Sequence, residues 1–123
     1  MSTYSPAQAV DRSGFSIETL RYYERIGLLR DIDRDSSGHR VFTDQHLSSL
    51  QILRCLRDTG MPIAQMQRYA ELSATDGSVQ ARLDLLEEHD ADVTRQIAEL
   101  QRWQKHLREK IAYYRGELAT NSD

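Results

Sequence analysis

A run of apolar residues at alternating steps of four and three fills the last third of this 123-residue chain and limits its fold more than any other feature. Ten of the twelve positions are apolar, and no proline or glycine interrupts Ser78 to Arg115. The positions are Val79, Leu83, Leu86, Asp90, Val93, Ile97, Leu100, Gln104, Leu107, Ile111, Tyr114 and Leu118. At ~1.5 Å per residue this helix would be about 60 Å long, too long to bury its seam against the rest of the chain. The pattern therefore predicts a coiled-coil helix paired with a second copy, that is, a homodimer.

Two polar residues, Asp90 and Gln104, occupy core-type positions of this seam. A polar residue there costs stability but can fix the register or orientation of the two strands. The pattern is compatible with both parallel and antiparallel strands.

The first seventy residues have a different character, beginning with two short helices. Ser5 is an expected N-cap with Gln8 closing a capping box, and Gly14 follows as a turn. Ser16 caps a second helix, which Gly27 ends. This order predicts a helix-turn-helix unit.

A small β-hairpin is predicted after the second helix. Residues 28–30 and 40–42 are expected as two short strands, with the polar segment 33–39 as the turn between them. In a helix-turn-helix protein such a hairpin is a wing beside the second helix.

Two further helices complete the predicted head. Thr43 caps the third helix and Gly60 ends it, while the fourth runs from Pro62 to about Ser73 and is expected to turn Ile63 and Met66 into the core. The predicted fold is mainly α: a winged helix-turn-helix head of four short helices and a hairpin, followed by a long coiled-coil helix. The expected parts are a DNA-binding head (1–74), a dimerisation helix (78–118) and a short tail (119–123).

Charge is unevenly distributed along the chain. The net charge of −3 divides into +1 for residues 1–70 and −4 for residues 71–123, so DNA binding would depend on local arginines and not on bulk charge. The N-terminus has no secretion signal, no apolar run is long enough to span a bilayer, and a single cysteine forms no internal disulfide. These features predict a cytoplasmic protein without a membrane partner.

The segments 16–29 and 35–42 together resemble the MerR family of bacterial transcription regulators. The resemblance rests on Ser-Ile-Glu-Thr-Leu-Arg-Tyr-Tyr-Glu-Arg-Ile-Gly-Leu-Leu in the second helix and Asp-Ser-Ser-Gly-His-Arg-Val-Phe in the wing, and it extends to the junction at 56–63 and the long final helix. It implies an antiparallel dimer that binds a palindromic promoter operator and bends and untwists the spacer DNA. An effector would then switch transcription, with RNA polymerase an indirect partner at the promoter.

The resemblance also assigns DNA contacts. Arg21 and Tyr22 on the second helix and Arg40 on the wing match family positions that contact the operator, where guanidinium and phenol groups would bind phosphate oxygens. The alternatives are that Arg21 pairs with Glu18 or Asp44 and that Tyr22 only packs. Candidate contacts of lower rank are Ser16, Thr19 and His39; Ser16 is equally explained as a helix cap. Tyr23 is expected in the core.

Cys55 is the only thiol and the candidate effector or redox sensor. The sequence around it is similar to that of an aldehyde- and nitrosative-stress-responsive branch of the family (AdhR- and NmlR-like), in which one thiol at this place is the proposed sensor. Arg54 and Arg57 would favour the thiolate, the form that reacts with electrophiles and oxidants. The alternative is a small buried hydrophobic residue, with a noncovalent small molecule as the effector.

Other function classes have little support in the sequence. The four histidines are scattered and the chain lacks the terminal cysteines of metal-sensing members, so no metal site and no cofactor are predicted. No catalytic set is apparent, so no enzymatic activity is expected. A coiled-coil adaptor that binds protein through its head is the remaining alternative.

Overall fold

The computed structural model describes residues 2–121 and confirms a mainly helical fold with one small sheet. The elements are β1 (Thr3–Tyr4), α1 (Pro6–Ser13), α2 (Ile17–Arg25), β2 (Asp33–Arg34), β3 (Arg40–Thr43), α3 (Asp44–Asp58), α4 (Ile63–Ser73) and α5 (Val79–Thr120). They form two compact units, which divide within α5 between Leu85 and Leu86. The first unit therefore contains the four short helices, the sheet and the first turns of α5.

Local side-chain caps start α1, α2 and α3 as predicted. Ser5 accepts the Gln8 N–H at 3.2 Å and Gln8 Oε1 accepts the Ser5 N–H at 2.9 Å, forming a capping box. Ser16 Oγ accepts the Thr19 N–H at 3.1 Å. Thr43 caps α3 with His46 as its reciprocal partner. Each cap satisfies N–H groups that a helix start leaves without intrahelical partners.

Gly27 ends α2 through two carbonyl bonds. The Gly27 N–H donates to the Glu24 carbonyl at 3.2 Å and the Leu28 N–H donates to the Tyr23 carbonyl at 2.8 Å, which is a Schellman motif. The motif requires a left-handed residue, and Gly27 has a φ of 87°. The predicted stop is therefore confirmed.

The sheet is antiparallel with β3 in the centre, in the order β1-β3-β2. Asp33 lies opposite Val41 and Arg34 opposite Arg40, while Thr3 of β1 lies opposite Thr43. The hairpin β2–β3 is the predicted wing. The third strand, β1, was not predicted.

The prediction of a strand at residues 28–30 was wrong. Leu28 and Leu29 directly follow the turn at Gly27 and are buried, with 4% and 2% of their surfaces exposed. Their apolar character reflects packing into the core, and the first wing strand begins only at Asp33.

The core of the first unit is built from all four short helices and the sheet. Its largest fully buried side chains are Phe15, Phe42, Leu20, Leu50, Leu53, Leu56 and Met66. Tyr23 is buried as predicted; it meets Phe15 edge to face at 5.3 Å, and burial raises the pKa of its phenol. Ile63, expected in the core, is 38% exposed because it is the first residue of α4 and Met66, one turn later, occupies the interior.

The long helix α5 runs for 42 residues without interruption. Ser78 precedes it and donates its hydroxyl to the Leu72 carbonyl and to the Thr75 carbonyl, the latter at 2.8 Å. The helix extends to Thr120, so it includes the start of the predicted tail; residues 122–123 lie outside the described residues. Within residues 2–121, no helix is long and apolar enough to cross a membrane.

Large apolar side chains remain exposed along α5. Ile97, Leu100, Leu107 and Ile111 are between 47% and 68% exposed, and Leu118 is 72% exposed. All five are positions of the predicted seam.

Candidate DNA-binding surface

Helix α2 presents Arg21 and Tyr22 on its outer side. Tyr22 is 39% exposed and Arg21 is exposed, whereas the neighbouring Leu20 and Tyr23 face the core. Among the ion pairs found in residues 2–121, none involves Arg21. Asp44, one proposed partner of Arg21, accepts the Tyr4 hydroxyl at 2.6 Å instead, a bond that raises the pKa of Tyr4.

Tyr22 is supported by its helical neighbours. The Arg25 guanidinium lies 5.4 Å from the centre of the Tyr22 ring, and the Tyr23 ring centre lies 6.2 Å away. Tyr22 thus packs against two neighbours while part of its ring remains accessible.

Ser16 and Thr19 stand at the start of the same helix. Their hydroxyl oxygens are 3.0 Å apart, and Ser16 Oγ also caps the helix. The capping role predicted for Ser16 is therefore confirmed, and its contact with DNA stays a prediction.

Three side chains form hydrogen bonds with backbone carbonyls of the segment that follows α2. Gln67 of α4 donates to the Ile26 carbonyl at 3.1 Å, and Arg30 Nε donates to the Gly27 carbonyl at 3.2 Å. His46 bonds through Nε2 to the Arg30 carbonyl at 2.9 Å, while its Nδ1 accepts the Thr43 N–H at 3.0 Å. Helices α3 and α4 thus position the segment that joins α2 to the wing.

The tip of the wing is braced internally. Asp35 Oδ1 accepts the N–H groups of Ser37 and His39, both at 2.9 Å, and Arg34 donates to the Gly38 carbonyl at 2.9 Å. The N–H bond from His39 is the main cause that lowers the pKa of the Asp35 carboxyl. His39 is exposed at this tip, with its ring Nδ1 3.7 Å from Asp35 Oδ2.

Arg40, at the base of the wing, forms an ion pair with Glu24 of α2. Arg40 Nε donates to Glu24 Oε1 at 2.7 Å, and the two side chains are only 20% and 28% exposed. The pair joins the two elements that carry the predicted DNA contacts. The supporting roles of Glu24, Gln67 and His46 were not predicted from the sequence. Only His46 had a local signal, because it lies three residues after the predicted cap Thr43, the spacing of a capping box.

Cys55 is exposed in this chain, so it is not the small core residue of the alternative interpretation. The nearby arginines are shared with a carboxylate: Arg57 Nε lies 2.9 Å and Arg54 Nε 3.5 Å from oxygens of Asp58. The hydrogen bond from Arg57 is the main cause that lowers the pKa of Asp58. Both arginines predicted to favour the thiolate are therefore paired with a carboxylate.

Metal-ligating side chains do not converge anywhere in residues 2–121: no group of three His, Cys, Asp or Glu residues is placed to hold an ion.

Comparison with known proteins assigns the chain to a family. The model for MerR HTH family regulatory proteins matches residues 4–72, and the model described as MerR, DNA binding, matches residues 47–110. The chain belongs to the MerR family of helix-turn-helix regulators. It is a DNA-binding transcription regulator, and its relatives are regulators and not enzymes.

Individual relatives indicate which branch of the MerR family the chain resembles. The crystal structure of HiNmlR, a MerR family regulator lacking the sensor domain and bound to promoter DNA, is 40% identical with a TM-score of 0.86, over 96% of this chain and 94% of that one. An uncharacterised HTH-type regulator of Haemophilus influenzae is 40% identical over 98% of this chain and 90% of its own length. AdhR of Bacillus subtilis is 33% identical over 65% of this chain and 58% of its own. HiNmlR and AdhR confirm the predicted AdhR/NmlR-like branch.

Proposed function

We propose that the protein is a homodimer that binds a palindromic promoter operator through Arg21, Tyr22 and Arg40 of each head. The observation that carries the proposal is the joined surface of α2 and the wing, in which exposed Arg21 and Tyr22 share one element with the partner of Arg40. Guanidinium and phenol groups there would bind phosphates and fix the register of the head on the duplex. Ser16, Thr19 and His39 are candidate contacts at the edges of the same surface. The DNA-bound state of HiNmlR supports this use of the head.

Dimerisation would use the exposed seam of α5. Side chains such as Leu100 and Leu107 are 68% and 62% exposed, and covering them with a second copy would remove this apolar surface from water. Residues 1–74 would then serve as the DNA-binding part and residues 78–118 as the dimerisation part. An antiparallel pairing would hold two heads at a fixed separation and so select an inverted repeat.

The operator would be deformed on binding. Two heads at a fixed distance can reach their half-sites only if the spacer adopts a matching geometry, and the cost of that deformation depends on the spacer sequence. Bending and untwisting the spacer would realign the promoter for RNA polymerase, an indirect partner. Such a regulator would act in the cytoplasm, where bacterial DNA lies.

The DNA contact is tested by replacing Arg21 with alanine. A duplex is first selected from a random-sequence DNA pool with the wild-type protein, and affinity is then measured by fluorescence anisotropy. Arg21→Ala should weaken binding by about tenfold or more, because a charge-assisted phosphate bond is lost from both heads. The matched control is Arg68→Ala, an exposed arginine of α4, which removes the same charge from the head. Equal affinity of the two variants would assign the surface to another role, such as an adaptor.

Cys55 is proposed as the switch, reacting with an electrophilic carbonyl compound or a thiol oxidant. Its exposure gives a reagent direct access, and the AdhR/NmlR-like relatives support a stress-related effector. Cys55→Ser should leave operator binding within about twofold of wild type and remove induction by aldehydes or oxidants. Intact-protein mass spectrometry after exposure, paired with transcription from the operator, measures both effects. Normal induction of the serine variant would exclude the thiol as the sensor.

A noncovalent effector is the second candidate, because the first unit contains a cavity of about 450 Å³. Leu28, Ile52 and Tyr69 give it apolar walls, and Arg30 and Ser49 supply polar groups. Its size is in the range of small-molecule sites. This candidate is favoured if transcription is induced normally in Cys55→Ser but is no longer induced in Ser49→Trp, in which the larger side chain fills the cavity.

A further inference from the structure

The ion pair between Glu24 and Arg40 joins the C-terminal half of α2 to the first residue of β3. Both side chains are mostly buried, so solvent screens their attraction less than at an open surface. The pair spans sixteen residues of sequence and ties the wing directly to the helix that carries Arg21 and Tyr22.

The bond engages only one edge of the guanidinium. Arginine has five N–H donors in a rigid planar fork, and Glu24 accepts from Nε, the donor nearest to the aliphatic stem. The two terminal nitrogens of Arg40 lie beyond this bond in the same plane. This bond at Nε restrains the direction of the guanidinium, and the terminal nitrogens could meet an anion without displacing Glu24.

Pairing with β1 and the burial of Phe42 already hold β3, and the internal bracing of the wing links its base to its tip. Asp35 accepts two backbone N–H groups of the tip, and Arg34 bonds across it to Gly38. Since the hairpin is stiff, fixing Arg40 at its base also limits the position of its tip.

We propose that Glu24 is a positioning residue for operator binding, which orients the Arg40 guanidinium toward a DNA phosphate and locks the wing to α2. This inference rests on the proposed function, in which Arg40 contacts the operator. It assigns a favourable role in DNA binding to a carboxylate. The gain comes from preorganisation, because the long arginine side chain is ordered before the DNA arrives.

Charge alone predicts the opposite effect. A carboxylate near a phosphate backbone repels it, so replacing Glu24 by glutamine should tighten binding if position did not matter. If Glu24 positions Arg40, the same replacement should weaken binding because the neutral amide holds the guanidinium less firmly. The sign of the change therefore separates the two explanations.

The test is a double-mutant cycle on the duplex selected with the wild-type protein, using Glu24→Gln, Arg40→Ala and the double variant. Glu24→Gln should weaken binding by about tenfold in the dimer, in which both heads are altered. In the Arg40→Ala background the same change should have no effect or tighten binding, because no guanidinium remains to be positioned. Glu18→Gln, which removes an exposed carboxylate from the first turn of the same helix, is the matched control and should not weaken binding.

Each outcome has a separate meaning. If Arg40→Ala binds as tightly as wild type, the proposed wing contact fails. If Arg40→Ala weakens binding but Glu24→Gln does not, only the positioning role fails. An equal loss from Glu24→Gln in both backgrounds would show a purely structural role, and thermal unfolding of each variant identifies any loss of folded protein.

Discussion

Glu24 and Arg40 show how the candidate DNA-binding surface depends on contacts between residues distant in the sequence. Their side chains meet at 2.7 Å although each belongs to a different element. Helix caps, by contrast, depend on residues three positions apart, and those at Ser5, Ser16 and Thr43 could be predicted from the sequence alone.

Asp35 gives a pH prediction at the same scale. Because N–H bonds from His39 and Ser37 lower its pKa, the carboxylate stabilises the wing turn above its unfolded pKa of about 4, and this stabilisation is lost as the pH falls through the lower folded value. Backbone amide shifts of Ser37 and His39, followed by NMR from neutral to acidic pH, should report a midpoint below that of an unstructured aspartate. Asp35→Ala should abolish the transition. A midpoint at or above the ordinary value would contradict the assignment.

The elements of the head were predicted well where local chemistry defines them and poorly where packing does. Gly27 and Gly60 identified the ends of α2 and α3. The apolar pair Leu28 and Leu29 suggested a strand but is buried as part of the core. The strands of the sheet contain two to four residues, and their positions are set by pairing with β3, which no short sequence pattern specifies.

Gly27 provides the prediction at the element scale. A Cβ at this position meets only Arg30 Nη2 at 4.0 Å, so the cost of Gly27→Ala arises from the left-handed backbone, with φ at 87°. That cost is about 1–2 kcal/mol, which should lower the midpoint of thermal unfolding by about 4–10 °C.

Gly116→Ala is the matched control, because Gly116 lies within α5 with open space around its Cβ position. The same substitution should there be neutral or stabilising by up to about 1 kcal/mol. Circular dichroism at equal protein concentration measures both variants. Similar midpoints for the two alanine variants would be evidence against the strained turn.

At the scale of the whole molecule, the sequence predicted a long helix, and the structure shows most of the apolar residues of its seam exposed on a single chain. Helical angle alone left the exposure of Cys55 undecided, since the residue lies at the margin of the apolar arc of α3; the structure places it at the surface. In the proposed homodimer, α5 would set the distance between two copies of the surface made of α2 and the wing.

Selection of duplexes from a random-sequence DNA pool, with sequencing of the bound fraction, tests this central claim most directly. Two identical heads held by an isologous dimer should enrich an inverted repeat with one fixed spacer length, and native mass spectrometry of that complex should show two protomers per duplex. Enrichment of a single unrepeated site bound by one protomer, or no enrichment at all, would contradict the account.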